Sequence, residues 1–356
     1  ELHRGGQGIV YQAIQRTTKR KVAIKVLREG PFASPRERAR FEREVQVLGQ
    51  LNHRNIVGIH DSGVAAGCFY YVMDYISGQQ LDVYVASRGR SIAEVLELFA
   101  KVCTAVSAAH VRGVIHRDLK PGNIRVDAEG EPYVLDFGLA KTIMGEMTDG
   151  TRAEVMSVTG QFIGSMPWAA PEQAEGIPSR IDVRTDVYAL GVILFQILTG
   201  RFPYDVAGAP HEVLHNVVHT EPIKPSRLRR QIDNELETII LKCLSKDRER
   251  RYLSAGELAR DIRHYLAGEP IEAKRDSGLY VLRKSLRRYR SRILIGMLVV
   301  AMFCGGGAIG LSILNEEMRQ RQFNDDLAGV EKMITEHKNI VEAIDRLGKL
   351  NQTFPE

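Results

Sequence analysis

The sequence predicts an α+β protein in which a small β-rich lobe precedes a larger, mostly helical lobe and a single transmembrane helix. Residues 1–76 combine short apolar strands, such as "KVAIKVL" and "FYYVMDY", with one helical stretch, "ERARFEREVQVLGQL". Helical patterns dominate residues 77–268. Residues 293–314 form a run of 22 residues without a charge, and a run of that length is long enough to span a bilayer.

The larger lobe is predicted from four helical segments. They are "IAEVLELFAKVCTAVSAAHVRG", "TDVYALGVILFQILTG", "ELETIILKCLSKD" and "SAGELARDIRHYLAG". Short strands and a long polar segment, 141–163, separate the first two. Because the chain opens on Glu1 without a signal peptide, we expect further residues upstream and a small lobe that is truncated at its start.

Composition indicates an ordinary globular protein for most of the chain. Of the 356 residues, 44% are hydrophobic and 26% are charged. The four cysteines form no C-x-x-C pair, which argues against a disulfide framework or a zinc site and favours a reducing compartment.

The positive charge is concentrated beside the apolar run. The net charge is +5, and six basic residues between Arg283 and Arg292 account for it, so a nucleic-acid interface is not indicated. Basic residues flank membrane helices on the cytoplasmic side. We therefore expect 269–292 to be a cytoplasmic juxtamembrane segment, 293–314 to be the membrane helix rather than a buried core helix, and 315–356 to lie across the bilayer.

The segment "VIHRDLKPGNIRVD" carries the residues from which we infer a chemistry. Phosphoryl transfer needs a carboxylate that accepts the hydroxyl proton, a carboxylate and an amide that hold metal ions, and a cation near the transferred group. Asp118 supplies the first carboxylate, Asn123 the amide, and Lys120 the cation. Asp136 of "LDFGLA" supplies the second carboxylate.

In this order the motifs resemble those of the eukaryotic-like protein kinase family, in which H-R-D-L-x-x-x-N precedes D-F-G. The resemblance covers residues 1 to about 268, and Lys120 is typical of the Ser/Thr-specific subgroup. With the basic stretch and one membrane helix, the chain resembles bacterial membrane-anchored Ser/Thr kinases. The resemblance implies a two-lobed kinase fold, ATP and Mg²⁺ (with Mn²⁺ as an alternative), protein substrates bearing Ser or Thr, no nucleic acid, and a single-pass protein of the plasma membrane with a cytoplasmic kinase domain.

Further roles follow from the same resemblance. Lys25 of "VAIK" is expected to hold the α- and β-phosphates and to pair with Glu44 of "FEREVQVL". Glu172 of "AAPEQA" is expected to pair with Arg251. Asp186 is expected to tie down the catalytic loop, which is the loop that carries Asp118 and Asn123.

The resemblance also implies an adenine pocket. Met73 would be its gatekeeper, with the backbone from Asp74 to Ile76 meeting the base and Val10 and Ala23 covering it.

The phosphate-binding loop departs from the family pattern at one position. The pattern G-x-G-x-x-G-x-V aligns with "HRGGQGIV", in which Gly5, Gly8 and Val10 fit and His3 replaces the first glycine. Because the second glycine allows the closest backbone approach, we expect phosphate binding to survive. Arg125 stands where relatives place an apolar residue beneath the adenine.

Activation is expected through phosphorylation between Asp136 and Glu172. Arg117 precedes Asp118, as in family members whose loop phosphate is captured by that arginine. Ser157 and Thr159 rank above Thr148 and Thr151 as acceptors; Ser165 is expected to hold the substrate-docking loop.

The sequence also allows two alternatives. The first is a pseudokinase that serves as a membrane scaffold, although Lys25, Asp118 and Asp136 are all present. The second concerns the tail, in which an apolar stripe at helical spacing either pairs with a second copy or packs on a domain beyond it. The stripe comprises Phe323, Leu327, Val330, Ile334, His337, Val341 and Ile344.

Overall fold

The computed structural model describes residues 1–5, 8–27, 35–87, 89–137, 165–274, 278–335 and 340–353, without the side chains of 35–37, 40, 278–296, 298–299 and 304. The chain divides into two compact units, Glu1–Lys284 and Ser285–Glu356. Within the described residues Cys68, Cys103 and Cys243 are free thiols.

A five-stranded antiparallel sheet forms the small lobe. Its strands are β1 (His3–Gly5), β2 (Gly8–Ile14), β3 (Lys21–Leu27), β4 (Ile59–Ala65) and β5 (Cys68–Asp74), in the order β1-β2-β3-β5-β4. Helix α1 (Pro35–Gly49) covers the sheet, and Phe41 of this helix stacks on Phe69 with ring centroids 4.5 Å apart. The alternating burial of β5 matches the period of a strand with one face in the core.

The register of this sheet sets the residues that face the cleft. Lys25 of β3 pairs with Val10 of β2 on one side and with Tyr71 of β5 on the other. Ala23 pairs with Met73. Because directly opposed residues project from the same face of a sheet, this register groups the predicted nucleotide-binding side chains.

The larger lobe combines a small sheet with helices. The sheet joins β6 (Gly78–Gln80), β7 (Ile124–Asp127) and β8 (Pro132–Val134) in that order. The helices are α2 (Leu81–Ser87), α3 (Ile92–Val111), α4 (Pro171–Ala174), α5 (Val183–Thr199), α6 (Pro210–His219), α7 (Pro225–Leu228), α8 (Asn234–Cys243) and α9 (Ala255–Leu266).

Helices α3 and α5 form the centre of this lobe, as their apolar sequences predict. Helix α3 begins with a capping box in which Ser91 and Glu94 satisfy each other's backbone N–H groups. Helix α5 begins at the N-cap Asp182 and ends at Gly200, whose φ of 73° is the left-handed conformation that favours glycine at a helix end. The lobe therefore offers a rigid base for the loops that precede β7 and follow β8.

The larger lobe continues past residue 268, where the sequence placed its end. Ile271 is fully buried. The Asp261 carboxylate of α9 accepts hydrogen bonds from the Tyr252 hydroxyl and from the backbone N–H groups of Glu272 and Ala273, at 2.6–2.9 Å. These bonds fix the chain against the lobe up to Lys274, so the start of the predicted juxtamembrane segment belongs to the lobe.

The second unit contains most of helix α10 (Gly278–Thr335) and helix α11 (Ile340–Thr353). Val330 of α10 is buried with Ala343 and Leu350 of α11. The predicted stripe is therefore divided, because Val330 faces α11 whereas Leu327 and Ile334 are exposed; His337 lies outside the described residues. No helix of the described part of the chain is apolar over a length that would cross a membrane. Several side chains of the predicted membrane segment, 293–314, are not among those that the structure describes.

Candidate active site

Antiparallel pairing brings the amide Asn123 and the carboxylate Asp136 to one end of the small sheet. Asn123 closes a short 3₁₀ turn directly before β7, and Asp136 follows β8. Ile124 pairs with Val134, and the Leu135 N–H donates to the Asn123 carbonyl at 2.9 Å. The start of one antiparallel strand lies beside the end of its partner, so the two side chains meet there.

Asp118 lies at the centre of a group of polar side chains. The Asn123 side-chain amide donates to the Asp118 carbonyl at 2.8 Å and to its carboxylate at 3.3 Å. The Lys120 ammonium lies 3.3 Å from the same carboxylate and donates to the Ser165 hydroxyl at 3.0 Å. The expected role of Ser165 in holding the substrate-docking loop stays a prediction. Asp118 is thus nearly buried, fixed in orientation and close to a cation.

The Asp136 carboxylate receives two donors from the small lobe. Lys25 Nζ lies 3.0 Å from Oδ2, and the Tyr71 hydroxyl donates to Oδ1 at 2.7 Å. Burial alone raises the pKa of the Asp136 carboxyl, but the Lys25 charge and the Tyr71 hydrogen bond outweigh it and hold the pKa below its usual value. Asp136 is therefore ionised, as a metal ligand must be. The predicted pair of Lys25 with Glu44 stays a prediction.

Asp186 fixes the backbone of the catalytic loop, as expected. Its carboxylate accepts the backbone N–H groups of His116 at 2.7 Å and Arg117 at 2.9 Å. Arg117 has a φ of 63°, a conformation that costs a non-glycine residue and needs such support. Burial raises the pKa of the Asp186 carboxyl, yet the bond from His110 Nε2 at 2.8 Å and its charge bring the net pKa below the usual value. The backbone of the catalytic loop is therefore held by the buried carboxylate of Asp186.

His116 joins the two catalytic segments. Its Nε2 lies 2.8 Å from the Leu135 carbonyl, which only accepts, so Nε2 carries the hydrogen. Nδ1 is then the acceptor for the Asp118 N–H at 3.3 Å. Burial lowers the pKa of His116, which favours this neutral form. The ring also packs on Phe137, with centroids 4.7 Å apart, so one imidazole ties Asp118 to the segment that carries Asp136.

A cavity of about 430 Å³ opens between the sheet and the catalytic loop. Its volume is in the range of small-molecule sites. Its walls contain most of the residues that the sequence predicted for nucleotide and metal: Gly5, Gly8, Val10, Ala23, Lys25, Met73, Asp74, Ile76, Asp118, Lys120, Asn123 and Asp136.

Gly8 meets the backbone of β3 so closely that no side chain would fit. A Cβ atom built on Gly8 would lie 2.1 Å from the Val26 carbonyl oxygen. This contact gives a packing reason for the glycine in addition to the phosphate-binding role that the motif predicts.

The second predicted ion pair, between Arg251 and Glu172, is buried in the larger lobe. Arg251 donates two parallel hydrogen bonds to the Glu172 carboxylate, at 2.8 and 2.9 Å, and both side chains are buried. The Thr185 hydroxyl adds a third donor at 2.8 Å. Burial raises the pKa of the Glu172 carboxyl, but the Arg251 hydrogen bonds and charge bring the net pKa below the usual value. The pair expected from the sequence is present.

Several contacts at the site were not predicted. Tyr71 binds Asp136, His110 binds Asp186, and the Gln173 amide donates to the Arg117 carbonyl at 2.9 Å. Asp74 had been expected to contribute only backbone, yet its carboxylate is held by Arg20 and by His60 Nε2. The resemblance to kinases assigns no role to the side chains of Tyr71, His110 and Gln173. The phosphorylation candidates Ser157 and Thr159 lie outside the described residues, as do Thr148 and Thr151.

The donor set suits Mg²⁺. Asp136 and Asn123 offer a carboxylate and an amide oxygen from one wall of the cavity, and Mg²⁺ binds through few protein oxygens completed by phosphates and water. Within the residues described, no cluster of three or more His, Cys, Asp or Glu side chains is suited to a metal. Asn123 and Asp136 are therefore the residues that would hold the ion together with a nucleotide.

The comparisons with known proteins all match the chain to protein kinases. The protein kinase domain model matches residues 1–261. The chain is 37% identical over 274 residues to the serine/threonine-protein kinase PknB of Mycobacterium leprae, covering 76% of this chain and 42% of that protein. It is 32% identical over 264 residues to a probable serine/threonine-protein kinase of Clostridium acetobutylicum, covering 74% of this chain and 38% of the relative.

Solved structures give the same result for the fold. The crystal structure of the Mycobacterium tuberculosis PknI kinase domain superposes with a TM-score of 0.54 at 26% identity, covering 74% of this chain and 92% of that one. The chain spans about two fifths of the length of the curated relatives it matches.

Proposed function

Because the chain belongs to the protein kinase family, we propose that it transfers the γ-phosphoryl group of ATP to Ser and Thr hydroxyls of proteins, its own included. One observation carries this proposal: Lys25, Asp118, Asn123 and Asp136 line a single cavity of nucleotide size. That is the set of groups that phosphoryl transfer requires.

The site residues divide the work of the reaction. Asp118 accepts the proton of the attacking hydroxyl, and its bond with Asn123 keeps the carboxylate oriented. Lys120, fixed between Asp118 and Ser165, places a positive charge beside the group in transfer. Asn123 and Asp136 would hold Mg²⁺, which would neutralise charge on the phosphates. Lys25 would orient the α- and β-phosphates.

A pseudokinase scaffold is the second candidate from the sequence, and it is not favoured. The lysine and the two carboxylates that such proteins tend to lose, Lys25, Asp118 and Asp136, are present and line the cavity. The matched relatives are named as kinases.

A phosphate-transfer assay tests the proposal. The full chain, solubilised in detergent, is incubated with γ-labelled ATP, Mg²⁺ and a mixture of unstructured Ser/Thr peptides, and phosphoserine and phosphothreonine are identified in the products. Label on peptide or on the chain itself is expected. Binding of ATP without any transfer, under conditions in which the protein is folded, would instead support the scaffold.

Activation is proposed to proceed through phosphorylation of Ser157 and Thr159. A phosphate adds about −1.5 to −2 charges, and capture by Arg117 would order the segment that follows Asp136. We expect mass spectrometry of active protein to find phosphate at Ser157 or Thr159 before Thr148 or Thr151. Active protein in which both residues are unmodified would contradict this ranking.

The membrane location is a proposal that rests on residues 283–314. We propose that 293–314 is a single span, that the basic stretch and the kinase domain are cytoplasmic, and that 315–356 lies across the bilayer. The 22 uncharged residues behind six basic ones support this. We expect the chain expressed in bacteria to stay in the membrane pellet after carbonate extraction, whereas a chain ending at residue 282 is released; release of both would contradict the anchor.

A homodimer through the tail is proposed with the exposed part of the stripe as its seam. Leu327 and Ile334 remain exposed on α10, whereas Val330 packs within the unit. We expect single cysteines at Leu327 and Ile334 to crosslink in membranes more efficiently than cysteines at Ala328 and Thr335. Equal yields at all four positions would contradict a specific seam.

A further inference from the structure

The carboxylate of Asp136 is held by Tyr71, a residue to which the resemblance assigns no role. The Tyr71 hydroxyl donates to Oδ1 at 2.7 Å, while Lys25 Nζ lies 3.0 Å from Oδ2. Tyr71 is only 2% exposed, so its hydroxyl has little access to water. Both oxygens of the metal-binding carboxylate are thus fixed by side chains of the small lobe.

The strand register explains why these two donors act together. Lys25 of β3 and Tyr71 of β5 are directly opposed in the antiparallel pair, so their side chains leave the sheet on the same face. Lys25 Nζ lies 6.0 Å from the centre of the Tyr71 ring. The sheet therefore presents a pair of adjacent donors to a single carboxylate of the larger lobe.

The backbone of Asp136 also favours such restraint. Its φ of 54° is in the left-handed region, which costs free energy for a residue with a side chain, although aspartate tolerates it better than most. If the chain acts as proposed above, Lys25 moves from Oδ2 to the phosphates of the nucleotide. The Tyr71 hydroxyl can keep its bond to Oδ1 during that exchange.

We propose that Tyr71 is a positioning residue that fixes the Asp136 carboxylate for metal binding while Lys25 is engaged by the nucleotide. The inference rests on the proposed function for the identity of the metal site, but it concerns binding and not turnover. Hydrogen-bond partners of a ligand orient it, and their loss costs about 10–100-fold in metal affinity. Without the hydroxyl, Oδ1 loses its donor from the sheet and the carboxylate is free to rotate.

The main variant is Tyr71→Phe, which removes one oxygen atom and keeps the ring in the core. Its matched control is Tyr70→Phe, because Tyr70 is the preceding residue of β5 and lies against Gly63, away from Asp136. The full chain is loaded with ADP, and bound Mn²⁺ is measured by electron paramagnetic resonance. We expect the half-saturating Mn²⁺ concentration to rise about 10–100-fold in Tyr71→Phe and to stay at the parent value in Tyr70→Phe.

A double-mutant cycle shows whether Tyr71 acts through Asp136. In an Asp136→Asn background, Tyr71→Phe is expected to cause no additional loss of Mn²⁺ affinity, because the carboxylate that it positions is gone. Additional weakening in that background would overturn the inference, as would parent-like Mn²⁺ binding by Tyr71→Phe alone. Tyr71→Leu also lacks the donor and is measured in parallel, with circular dichroism as the folding check, so that misfolding of one variant leaves the comparison intact.

Turnover separates this inference from the proposed function. In an active chain, Tyr71→Phe is expected to raise the KM for Mg²⁺ by the same factor as the Mn²⁺ half-saturation and to retain kcat at saturating Mg²⁺. If the parent transfers no phosphate but Tyr71→Phe still weakens Mn²⁺ binding, the proposed function fails and the positioning role stands. If the parent is active and Tyr71→Phe binds Mn²⁺ normally, the reverse holds.

Discussion

Replacing Asp118 by asparagine is expected to slow phosphoryl transfer by about 10²–10⁴-fold, because it removes the group that accepts the hydroxyl proton. Asparagine has nearly the same shape and can keep the contact with Asn123, so the loop should hold its conformation. At about 1.36 kcal/mol for each factor of ten, the loss corresponds to roughly 3–5 kcal/mol of barrier height.

The loss should appear in the rate of transfer and not in nucleotide binding. We expect single-turnover experiments with labelled ATP to show the slower step, while the dissociation constant for ADP stays near that of the parent. Asp127→Asn is the matched control: Asp127 ends β7 and accepts the Glu131 N–H at 2.8 Å, so it serves a turn. If Asp118→Asn transfers phosphate at the parent rate, Asp118 is not the proton acceptor.

The sequence was sufficient for the parts of the site that depend on local order along the chain. Asp118, Asn123 and Asp136 were assigned from their motifs, and the pairing of β7 with β8 brings them together. The helices α3 and α5 were predicted from their long apolar patterns, and the structure adds a local cap at the start of each. Each of these features is set by residues that are close in sequence.

Contacts that depend on strand register or on distant helices could not be predicted. Tyr71 resembles any aromatic residue on the buried face of a strand until the register places it opposite Lys25. His110 ends an apolar helix, and its bond to Asp186 joins residues 76 positions apart. Asp261 resembles a surface charge on an amphipathic helix, yet it is fully buried beneath the chain that follows the helix. A single sequence carries no signal for such pairings.

The structure also accounts for one departure from the family pattern. Arg125 donates from its guanidinium to the Gly78 carbonyl at 2.7 Å, across the pair of β6 with β7. The charge is thereby satisfied by the neighbouring strand, and the residue remains part of the cavity wall. Its aliphatic stem can serve as the apolar surface that relatives provide with another side chain.

Replacing Arg251 by methionine is expected to destabilise the kinase unit by about 3–5 kcal/mol, because it leaves the buried Glu172 carboxylate without its guanidinium. The pair is inaccessible to water: the Arg251 side chain is 0% exposed and that of Glu172 is 5% exposed. Only the Thr185 hydroxyl would remain as a side-chain donor among the described contacts of the carboxylate. The size of this loss follows from the penalty of an unpaired buried charge and exceeds what the intact pair itself contributes.

The measurement is the urea midpoint of unfolding, with Arg250→Met as the matched control. Arg250 is the adjacent residue, its side chain is 82% exposed, and its loss is expected to change stability by less than about 0.5 kcal/mol. The double variant Glu172→Leu/Arg251→Met should recover part of the loss, since it leaves no buried charge behind.

Low pH should also reduce the difference in unfolding free energy between the parent and Arg251→Met. In the parent the pKa of Glu172 is lowered, so its stabilisation is present above the unfolded value of about 4.3 and is lost as pH falls through the folded pKa. In Arg251→Met we expect burial to raise the pKa of Glu172 instead, so that the carboxylate becomes protonated as the pH falls and its unpaired charge is removed. The stability of the variant should therefore approach that of the parent between pH 7 and pH 4. A stability difference that does not shrink over this range would show that the loss has another cause.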